Sequence, residues 1–215
     1  MAAIPEPSHV IAVFAKAPVP EQTKTRLIPR MGAQAAAHLQ RELIHRTLLT
    51  ATSSKAGGVE LWCTPNTDHP FFIECAQHFG IPLKLQCEGD LGQKMYAASS
   101  AVLQRAQGII LIGTDCPALS MEDLRSTAKA LVQGSEAVFL PVEDGGYTLI
   151  ALSRIHTSVF ENIPWGTGTV MAQTRERLRL LGWNWEELEL RWDVDRPEDY
   201  DRLIASGWRG ASPIP

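Results

Sequence analysis

A short apolar run near the middle of the chain ends abruptly at a carboxylate. Ile109 to Ile112 is mostly β-branched, which is typical of a buried strand, and Gly113-Thr114-Asp115-Cys116-Pro117 follows at once. A strand that stops in this way places Asp115 at the carboxyl end of a sheet, where open α/β folds bind ligands. A carboxylate there is a natural ligand for a divalent cation that carries phosphates. A loop aspartate that accepts hydrogen bonds from nearby backbone amides is the alternative.

Other apolar runs alternate with helical patterns along the chain. Strands are predicted at 9–15, 59–63, 81–86, 137–141 and 148–152, and helices at 32–50, 68–79, 88–105, 120–132, 167–181 and from 197 onward. The first strand is apolar nearly throughout, as expected when both faces of a parallel sheet are covered. The pattern therefore favours an α/β fold.

Size and composition set the class of protein. With 215 residues, 45% of them hydrophobic and 20% charged, the chain can build a full core, and we expect a single domain over residues 1–215. The net charge of -4 gives no electrostatic reason to expect nucleic-acid binding. The four cysteines are scattered, which argues against a zinc site and a disulfide scaffold.

Location is predicted from two further sequence features. The first residues lack the positive region and long apolar run of an export signal, and no stretch approaches the length of a membrane span. We therefore expect a cytoplasmic protein with free thiols and no membrane span. Residues 210–215 have the composition of a frayed tail.

The loop after the first strand is rich in cations. Pro18 and Pro20 prevent a helix there, and Lys16, Lys24 and Arg26 lie within the loop. Cations beside the carboxyl end of a strand suit a polyanion such as the phosphates of a nucleotide. The alternative is a solvated basic loop.

Three other short segments carry candidate site residues. Gly89 and Gly92 permit close backbone approach at the start of a helix, although Asp90 between them also suits a simple N-cap. A second carboxylate pair, Glu143 and Asp144, precedes two glycines between buried strands, and a hairpin turn is the alternative there.

The last of these segments is the pair Asp193 and Asp195. On an extended chain the two side chains point the same way and can share one cation. In the alternative, Asp195 caps the helix that follows and Asp193 has no role.

Four ordered motifs together resemble the DUF2064 family, glycosyltransferases of the GT-A or nucleotide-diphospho-sugar transferase type. The motifs are Phe14-Ala-Lys16-Ala-Pro18-x-Pro20-x-x-x-Lys24-Thr-Arg26-Leu27, Gly113-Thr-Asp115-Cys-Pro117, Asp144-Gly-Gly-Tyr147-x-Leu149-Ile150 and Asp193-Val-Asp195-x-Pro197-Glu-Asp199. The chain is more distantly similar to molybdenum-cofactor guanylyltransferase and phospholactate guanylyltransferase. The resemblance spans residues 10–203, and Glu21 and Arg196 stand where the family usually has Gly and Thr.

The resemblance implies a GT-A fold, a mixed and mostly parallel sheet flanked by helices, with the nucleotide over the strand ends. It also implies roles for the candidate residues around a Mg²⁺ or Mn²⁺ ion. Lys24 and Arg26 would hold the diphosphate, Ala15, Lys16, Thr114 and the loop with Gly89, Asp90 and Gly92 would border the nucleotide, and Asp115 would bind the metal with Asp195 or Asp193.

The first functional hypothesis is metal-assisted sugar transfer from a nucleotide-diphospho-sugar to a small acceptor. Asp144 is the candidate general base, with Glu143 in reserve, and each carboxylate is expected to raise the pKa of the other. The second hypothesis is a nucleotidyltransferase that joins an NTP to a phosphorylated acceptor and releases pyrophosphate. The third is a nucleotide-binding protein without turnover. No nucleic-acid partner is expected, and a homodimer remains open.

Overall fold

The computed structural model describes residues 8–208, which fold into a sheet flanked by helices. The strands are β1 His9–Lys16, β2 Gly58–Thr64, β3 Leu83–Leu85, β4 Gly108–Ile112, β5 Ala137–Pro141, β6 Tyr147–Leu152 and β7 Trp185–Glu187. The helices are α1 Ile28–Met31, α2 Ala33–Ser54, α3 Pro70–Phe79, α4 Leu91–Leu103, α5 Met121–Val132, α6 Val170–Leu181 and α7 Pro197–Ala205. Short 3₁₀ turns lie at Thr25–Leu27 and Thr157–Val159.

The strands form one sheet in the order β3-β2-β1-β4-β6-β5-β7. The pairs β1–β2, β1–β4, β2–β3 and β5–β7 are parallel, whereas β6 runs antiparallel to both β4 and β5. This confirms the predicted mixed, mostly parallel sheet flanked by helices. Because β1, β2 and β4 are parallel neighbours, their carboxyl ends meet at one edge of the sheet.

Alternate residues of each strand face two different helical layers, because side chains alternate across a strand. Ile11 and Ile110 pack with α2, α3 and α5 on one face of the sheet. Val10 and Ile109 pack with α4 and α6 on the other face. Both layers are buried, which explains why the strands are apolar nearly throughout.

A third, smaller cluster joins distant parts of the chain. Leu27 follows the cationic loop, Leu43 belongs to α2, and Val194 and Leu203 belong to the C-terminal segment that includes α7. All four side chains are almost fully buried. This packing holds the segment around Asp193 against the loop after β1.

The predicted elements are present, with differences at their ends. The helix predicted at 32–50 extends to Ser54, and the third strand shrinks to Leu83–Leu85, the residues that pair with β2 at the edge of the sheet. The helix predicted from 167 begins at Val170, and the edge strand Trp185–Glu187 was not predicted.

Other predictions concern the termini, the membrane and the thiols. The N-terminal and 210–215 predictions lie outside the described residues. Within residues 8–208, no helix has the length and apolar character needed to cross a membrane. All four cysteines are free, and burial raises the pKa of the Cys63 and Cys75 thiols to about 12.

Candidate functional site

A cleft of about 690 Å³ opens at the edge where β1, β2 and β4 end. Its floor includes Phe14, Leu111 and Ile150, which belong to the layer packed on α4 and α6. Its polar wall comes from the loop after β1, the loop after β4 and the C-terminal segment. The polar and charged lining residues include Lys16, Lys24, Arg26, Thr64, Gln86, Lys94, Thr114, Asp115, Asp193 and Asp195.

Lys24 is held inside this wall rather than extended into solvent. Its backbone adopts the left-handed region (φ 48°), and its side chain is 4% exposed. The ammonium lies 2.7 Å from Asp115 Oδ1 and donates to the carbonyl oxygen of Val194 at 2.6 Å. Lys24 is therefore the counter-cation of Asp115, whose own side chain stays 48% exposed to the cleft.

Arg26 and Lys16 are the more accessible cations of the same loop. Arg26 forms an ion pair with Asp195 across the cleft wall, and its side chain is 60% exposed. Lys16 is exposed and donates from Nζ to the carbonyl oxygen of Gln22 at 2.6 Å. The structure thus brings all three predicted cations to one cleft, and two of them are paired with aspartates.

Asp193 has the most perturbed carboxylate of the site. Burial raises its pKa to about 6, the charges of Asp144 and Asp115 add to the rise, and Lys24 opposes it. The backbone amide of Val194 donates to the carbonyl oxygen of Asp115 at 2.8 Å, which ties the two acidic segments together. A half-buried carboxylate among other carboxylates favours a bound cation.

The capping alternative for Asp195 is wrong. Arg196 occupies the N-cap position of α7, and Asp199 Oδ2 accepts from the backbone amides of Asp195 at 3.1 Å and Arg196 at 2.7 Å. Asp199 can do this because it lies in the first turn of the helix, where free amides need an acceptor. The carboxylate of Asp195 is consequently available to Arg26 and to the cleft.

The donor set fits a divalent cation that also binds phosphate oxygens. Among residues 8–208, no group of three or more His, Cys, Asp or Glu side chains is arranged to hold a metal ion by itself. Mg²⁺ is usually bound through one or two carboxylates together with substrate phosphates. Asp115 and Asp193, which line the same cleft with their hard oxygens, match that requirement.

A smaller lobe of about 150 Å³ adjoins the cleft. Asp193 and Tyr147 are among the five residues that line both cavities, whereas Asp144 and Trp165 line only the lobe. The remaining lining residues are mostly apolar: Leu91, Met95, Val142, Gly146, Gly166, Thr167 and Val170. Asp193 therefore lies at the boundary between the two cavities.

The turn that carries Asp144 is fixed by close packing. It joins the antiparallel strands β5 and β6, and Asp144 Oδ1 accepts from the amide of Gly146 at 2.8 Å. Gly145 has φ 88°, and a Cβ there would lie 2.2 Å from the carbonyl oxygen of Gly168. The hairpin alternative is thus confirmed, and the glycines serve close backbone packing.

Glu143 lies outside both cavity linings. Its Oε2 accepts from Arg202 Nη1 at 2.7 Å, and its side chain is half exposed. The Arg202 guanidinium lowers the pKa of Glu143, so the prediction that the neighbouring carboxylate raises it is wrong for this residue. The ion pair with α7 is the main cause of this shift.

The loop before α4 is built for helix capping. Asp90 Oδ1 accepts from the amide of Gln93 at 2.8 Å, and the Gln93 side chain accepts from the amide of Asp90 at 2.9 Å. Gly92 is buried where a Cβ would lie 2.8 Å from Trp165 Nε1, and Gly89 has φ 115°. The simple N-cap alternative for Asp90 is confirmed.

The capping loop also leaves the cleft lining to other residues of α4. Gly89, Asp90 and Gly92 are not lining residues, and the lining comes instead from Leu91, Lys94 and Met95. The amide of Gln93 already has a partner in Asp90, so it is not free for a ligand.

The matching sequence family covers more than half of the chain. The profile of the family described as "Uncharacterized protein conserved in bacteria (DUF2064)" matches residues 47–167. This chain belongs to the DUF2064 family. A search of curated protein sequences finds no significant match.

Solved structures place this DUF2064 protein among nucleotidyl and glycosyl transferase folds. A "putative nucleotide-diphospho-sugar transferase" from Desulfovibrio desulfuricans G20 superimposes with a TM-score of 0.84 at 27% identity, covering 94% of this chain and 88% of that one. A 4-diphosphocytidyl-2C-methyl-D-erythritol synthase from Anaerococcus prevotii DSM 20548 has a TM-score of 0.63 at 11% identity, with coverage of 94% and 97%. Glucosyl-3-phosphoglycerate synthase from Mycobacterium tuberculosis, solved with Mn²⁺ and UDP, has a TM-score of 0.55 at 11% identity, with coverage of 93% and 76%.

Several residues of this DUF2064 site were not found by sequence reasoning. Gln86 is buried and donates from Nε2 to the carbonyl oxygen of Trp62 at 2.8 Å, next to Thr64 on the cleft wall. Lys94 and Trp165 were also missed. The strand-end position of Gln86 was a usable signal, whereas the position of Trp165 depends on how its loop packs on Gly92.

Two of the predicted nucleotide-binding residues have structural partners in this DUF2064 protein. Thr114 is buried, and its Oγ1 accepts from Gln40 Nε2 at 3.3 Å. Ala15 is buried, and its carbonyl oxygen lies 3.5 Å from Gln86 Nε2, which donates to it. Both residues nevertheless line the cleft.

Proposed function

We propose that this DUF2064 protein transfers a sugar from a nucleotide-diphospho-sugar to a small acceptor, with a divalent cation. The observation that carries the proposal is the charge balance of the cleft. Lys16, Lys24, Arg26 and Lys94 line it, together with the carboxylates Asp115, Asp193 and Asp195. The four cations outnumber the three carboxylates, so the lining has a small positive excess of charge. A bound divalent cation would increase this excess enough to balance the negative charge of a diphosphate.

Four charged residues of the cleft have a role in this reaction. Asp115 and Asp193 would hold Mg²⁺ or Mn²⁺, which when bound supplies stabilisation for the charge on the leaving diphosphate. Lys24 lies beside Asp115 and Arg26 beside Asp195 in the same cleft, where both cations stabilise the same developing charge. Both cations are already fixed by ion pairs, so little reorganisation is needed when the donor binds.

Asp144 is the proposed general base for the acceptor. Its Oδ1 is fixed by the amide of Gly146, and its carboxylate is exposed in the smaller lobe. This leaves the second oxygen to accept a proton from an acceptor hydroxyl. The lobe adjoins the cleft through Asp193 and Tyr147, so acceptor and donor can meet at that boundary.

A thermal-shift screen tests donor binding. UDP-, GDP-, ADP- and TDP-sugars are compared with the matching NTPs, each with and without Mn²⁺, because a ligand that binds the folded state raises Tm. We expect a metal-dependent shift with one sugar nucleotide that is lost in Asp115→Asn. The matched control is Asp201→Asn, which removes an exposed ion pair with Arg30. No shift with any sugar nucleotide would contradict the proposal.

Nucleotidyl transfer is the alternative, and the fold supports it as well. The neighbours with this fold include a structure of CMP:2-keto-3-deoxy-manno-octonic acid synthetase complexed with CTP, with a TM-score of 0.57 at 12% identity. The two reactions differ in their released product. Sugar transfer releases a nucleoside diphosphate, whereas nucleotidyl transfer releases pyrophosphate, so product analysis by ion-exchange chromatography separates them.

A further inference from the structure

We propose that the acceptor is a hydroxyl-bearing ring compound without phosphate or carboxylate, bound in the smaller lobe between Trp165 and Asp144. This inference rests on the proposed function and names its acceptor class. It follows from the charges that line the lobe, the aromatic side chains of its wall and the way both are held in place.

The lobe differs from the cleft in the sign of its charges. Asp144 and Asp193 are the charged side chains among the described residues that line it, and no Lys, Arg or His is among them. The divalent cation proposed at Asp115 and Asp193 is committed to the phosphates of the donor, so a phosphate or carboxylate in this space would face Asp144 without a lysine, arginine or histidine in the lining. Burial of an unpaired charge is costly, so the lobe disfavours an anionic acceptor.

The cations of the site lie outside the lobe lining, including Lys94 of α4, which lines only the cleft. Lys24 is 4% exposed and bonded to Asp115, on the cleft side of Asp193. Arg202 pairs with Glu143 and lies over the ring of Trp192 at 4.5 Å. Neither side chain lines the lobe, so neither supplies the charge that an anionic acceptor would need.

The aromatic wall suits the face of a ring. Tyr147 and Trp165 meet edge to face, with ring centroids 6.3 Å apart and an angle of 89° between the rings. Tyr147 also packs edge to face on Phe139 at 5.2 Å, which fixes its position. Apolar and aromatic walls with a few placed polar groups are typical of sites for small molecules.

Trp165 is positioned by close contact with a glycine of α4. A Cβ at Gly92 would lie 2.8 Å from Trp165 Nε1 and 2.5 Å from the carbonyl oxygen of Phe160. The missing side chain of Gly92 therefore makes room for the indole. This gives Gly92 a role in shaping the acceptor lobe.

The charge part of the inference is tested with matched acceptors. The probes are methyl glucoside against glucose 6-phosphate, and myo-inositol against inositol 1-phosphate. Binding is measured by saturation-transfer NMR with the full chain, UDP and Mg²⁺, and nucleoside diphosphate release is measured with UDP-glucose and with GDP-mannose. We expect the uncharged member of each pair to bind at least about tenfold more tightly, which corresponds to about 1.4 kcal/mol.

A lysine placed in the lobe gives the matched variant. Thr167→Lys adds a cation to the lining, and we expect it to reduce the preference for uncharged acceptors by about tenfold. Ala172→Lys adds the same charge on the exposed side of α6, outside the lining, and should leave the preference unchanged. Equal reduction by both lysines would contradict a local effect of the lobe.

The ring part of the inference is tested with tryptophan variants. Trp165→Ala should raise KM for the uncharged ring acceptors about tenfold with a smaller change in kcat, because stacking energy is lost. Trp185→Ala removes a tryptophan of the edge strand β7 and should leave KM unchanged. Equal effects of the two variants would overturn the assignment of the ring to Trp165.

The outcomes separate this inference from the proposed function. Tighter binding of the phosphorylated probes, or binding of neither uncharged probe, overturns the acceptor class. Nucleoside diphosphate release stimulated by the phosphorylated probes overturns the acceptor class and leaves sugar transfer in place. Pyrophosphate release from the matching NTPs overturns sugar transfer, while the NMR binding ratio still reports on the acceptor class.

Discussion

The cleft and the smaller lobe share one edge of the sheet but differ in charge and in lining. In the cleft, Asp115 and Asp195 each have a cation as partner, and two further lysines line the wall. In the lobe, the charged lining residues are carboxylates, and aromatic rings form part of the wall. The comparison teaches that neighbouring strand ends can build one compartment lined by lysines, an arginine and aspartates and another whose charged lining residues are aspartates alone.

The difference arises from the segments that line each cavity. The end of β1 and the segment that follows it supply Lys16, Lys24 and Arg26 to the cleft, whereas the β5–β6 turn and the loop before α6 supply Asp144 and Trp165 to the lobe. The amide of Met171 donates to the carbonyl oxygen of Gly145 at 2.9 Å, which locks those two lobe segments together. Each compartment is therefore built from its own loops.

The largest expected effect comes from removal of the cleft carboxylate. Asp115→Asn removes a proposed metal ligand and the counter-charge of Lys24, and we expect kcat/KM for transfer to fall by about 100-fold or more. Lys24 is 4% exposed, so its unpaired charge should also lower the free energy of unfolding by about 1–3 kcal/mol. Kinetics and urea denaturation measure the two effects.

The control for this variant removes an exposed ion pair. Asp201→Asn breaks the pair with Arg30 on the surface. We expect the free energy of unfolding to fall by less than about 1 kcal/mol and kcat/KM to stay unchanged. Equal effects of the two variants on kcat/KM and on the free energy of unfolding would show that the pairing of Lys24 with Asp115 has no specific role in the cleft.

The next largest effect is expected for Gly145→Ala, which separates acceptor binding in the lobe from nucleotide binding in the cleft. Gly145→Ala forces a Cβ to within 2.2 Å of the carbonyl oxygen of Gly168 at a residue with φ 88°. We expect the free energy of unfolding to fall by about 2–3 kcal/mol, and acceptor binding to be lost while UDP and Mg²⁺ still bind. Denaturation, acceptor NMR and nucleotide titration measure these effects.

Gly134→Ala is the matched control, because it has a similar positive φ and open space around it. Its φ is 104°, and no atom lies within 4 Å of the added Cβ. We expect backbone strain alone to lower the free energy of unfolding by about 1 kcal/mol, with no effect on acceptor binding. Loss of acceptor binding in both variants would show that general destabilisation, rather than the lobe, is responsible.

Most of the fold and the membership of the cleft were predictable from the sequence. The apolar strands at Ile109–Ile112 and His9–Lys16 are parallel neighbours, so residues that follow them meet at one edge. This is why Lys16 and Asp115 line one cavity, whereas Asp193 reaches it through the packing of Val194 in the third cluster. The apolar pattern along the chain is sufficient for this prediction because it locates the ends of the strands. The loops that follow parallel strands then lie at the same edge of the sheet.

The partners of these residues were not predictable. The bond between Lys24 and Asp115 depends on a left-handed backbone at Lys24 and on Val194 packed in the third cluster. Glu21 also adopts a positive φ (66°), at the position where the resemblance leads one to expect glycine. Such features follow from tertiary packing, which local periodicity does not describe.

Asp193, at the boundary, gives a smaller, pH-dependent effect. Burial, with the charges of Asp144 and Asp115, raises its pKa from 3.8 to about 6, so its ionised form opposes folding. That cost is absent below about pH 4, grows as the pH rises towards 6 and is fully present above. In EDTA, Asp193→Asn should therefore raise the free energy of unfolding by about 1–2 kcal/mol at pH 8 and leave it unchanged at pH 4.

Urea denaturation across this pH range measures the effect. Asp201→Asn serves again as the control, because its exposed carboxylate pairs with Arg30 on the surface. A stabilisation of Asp193→Asn that did not change between pH 4 and pH 8 would contradict a charge-based origin.

The smallest effect is expected at Glu143, which the sequence could not separate from its neighbour Asp144. Glu143 lies outside both cavity linings and pairs with Arg202, so Glu143→Gln should leave kcat within about twofold and Tm unchanged. Asp144→Asn, which changes the lobe carboxylate, should lower kcat by about 100-fold. Kinetics of the two variants with one donor measure the contrast. A large loss of kcat in Glu143→Gln would contradict this expectation. It would mean that the reactive carboxylate is Glu143, on the outer side of the turn, and that the acceptor binds there rather than in the lobe.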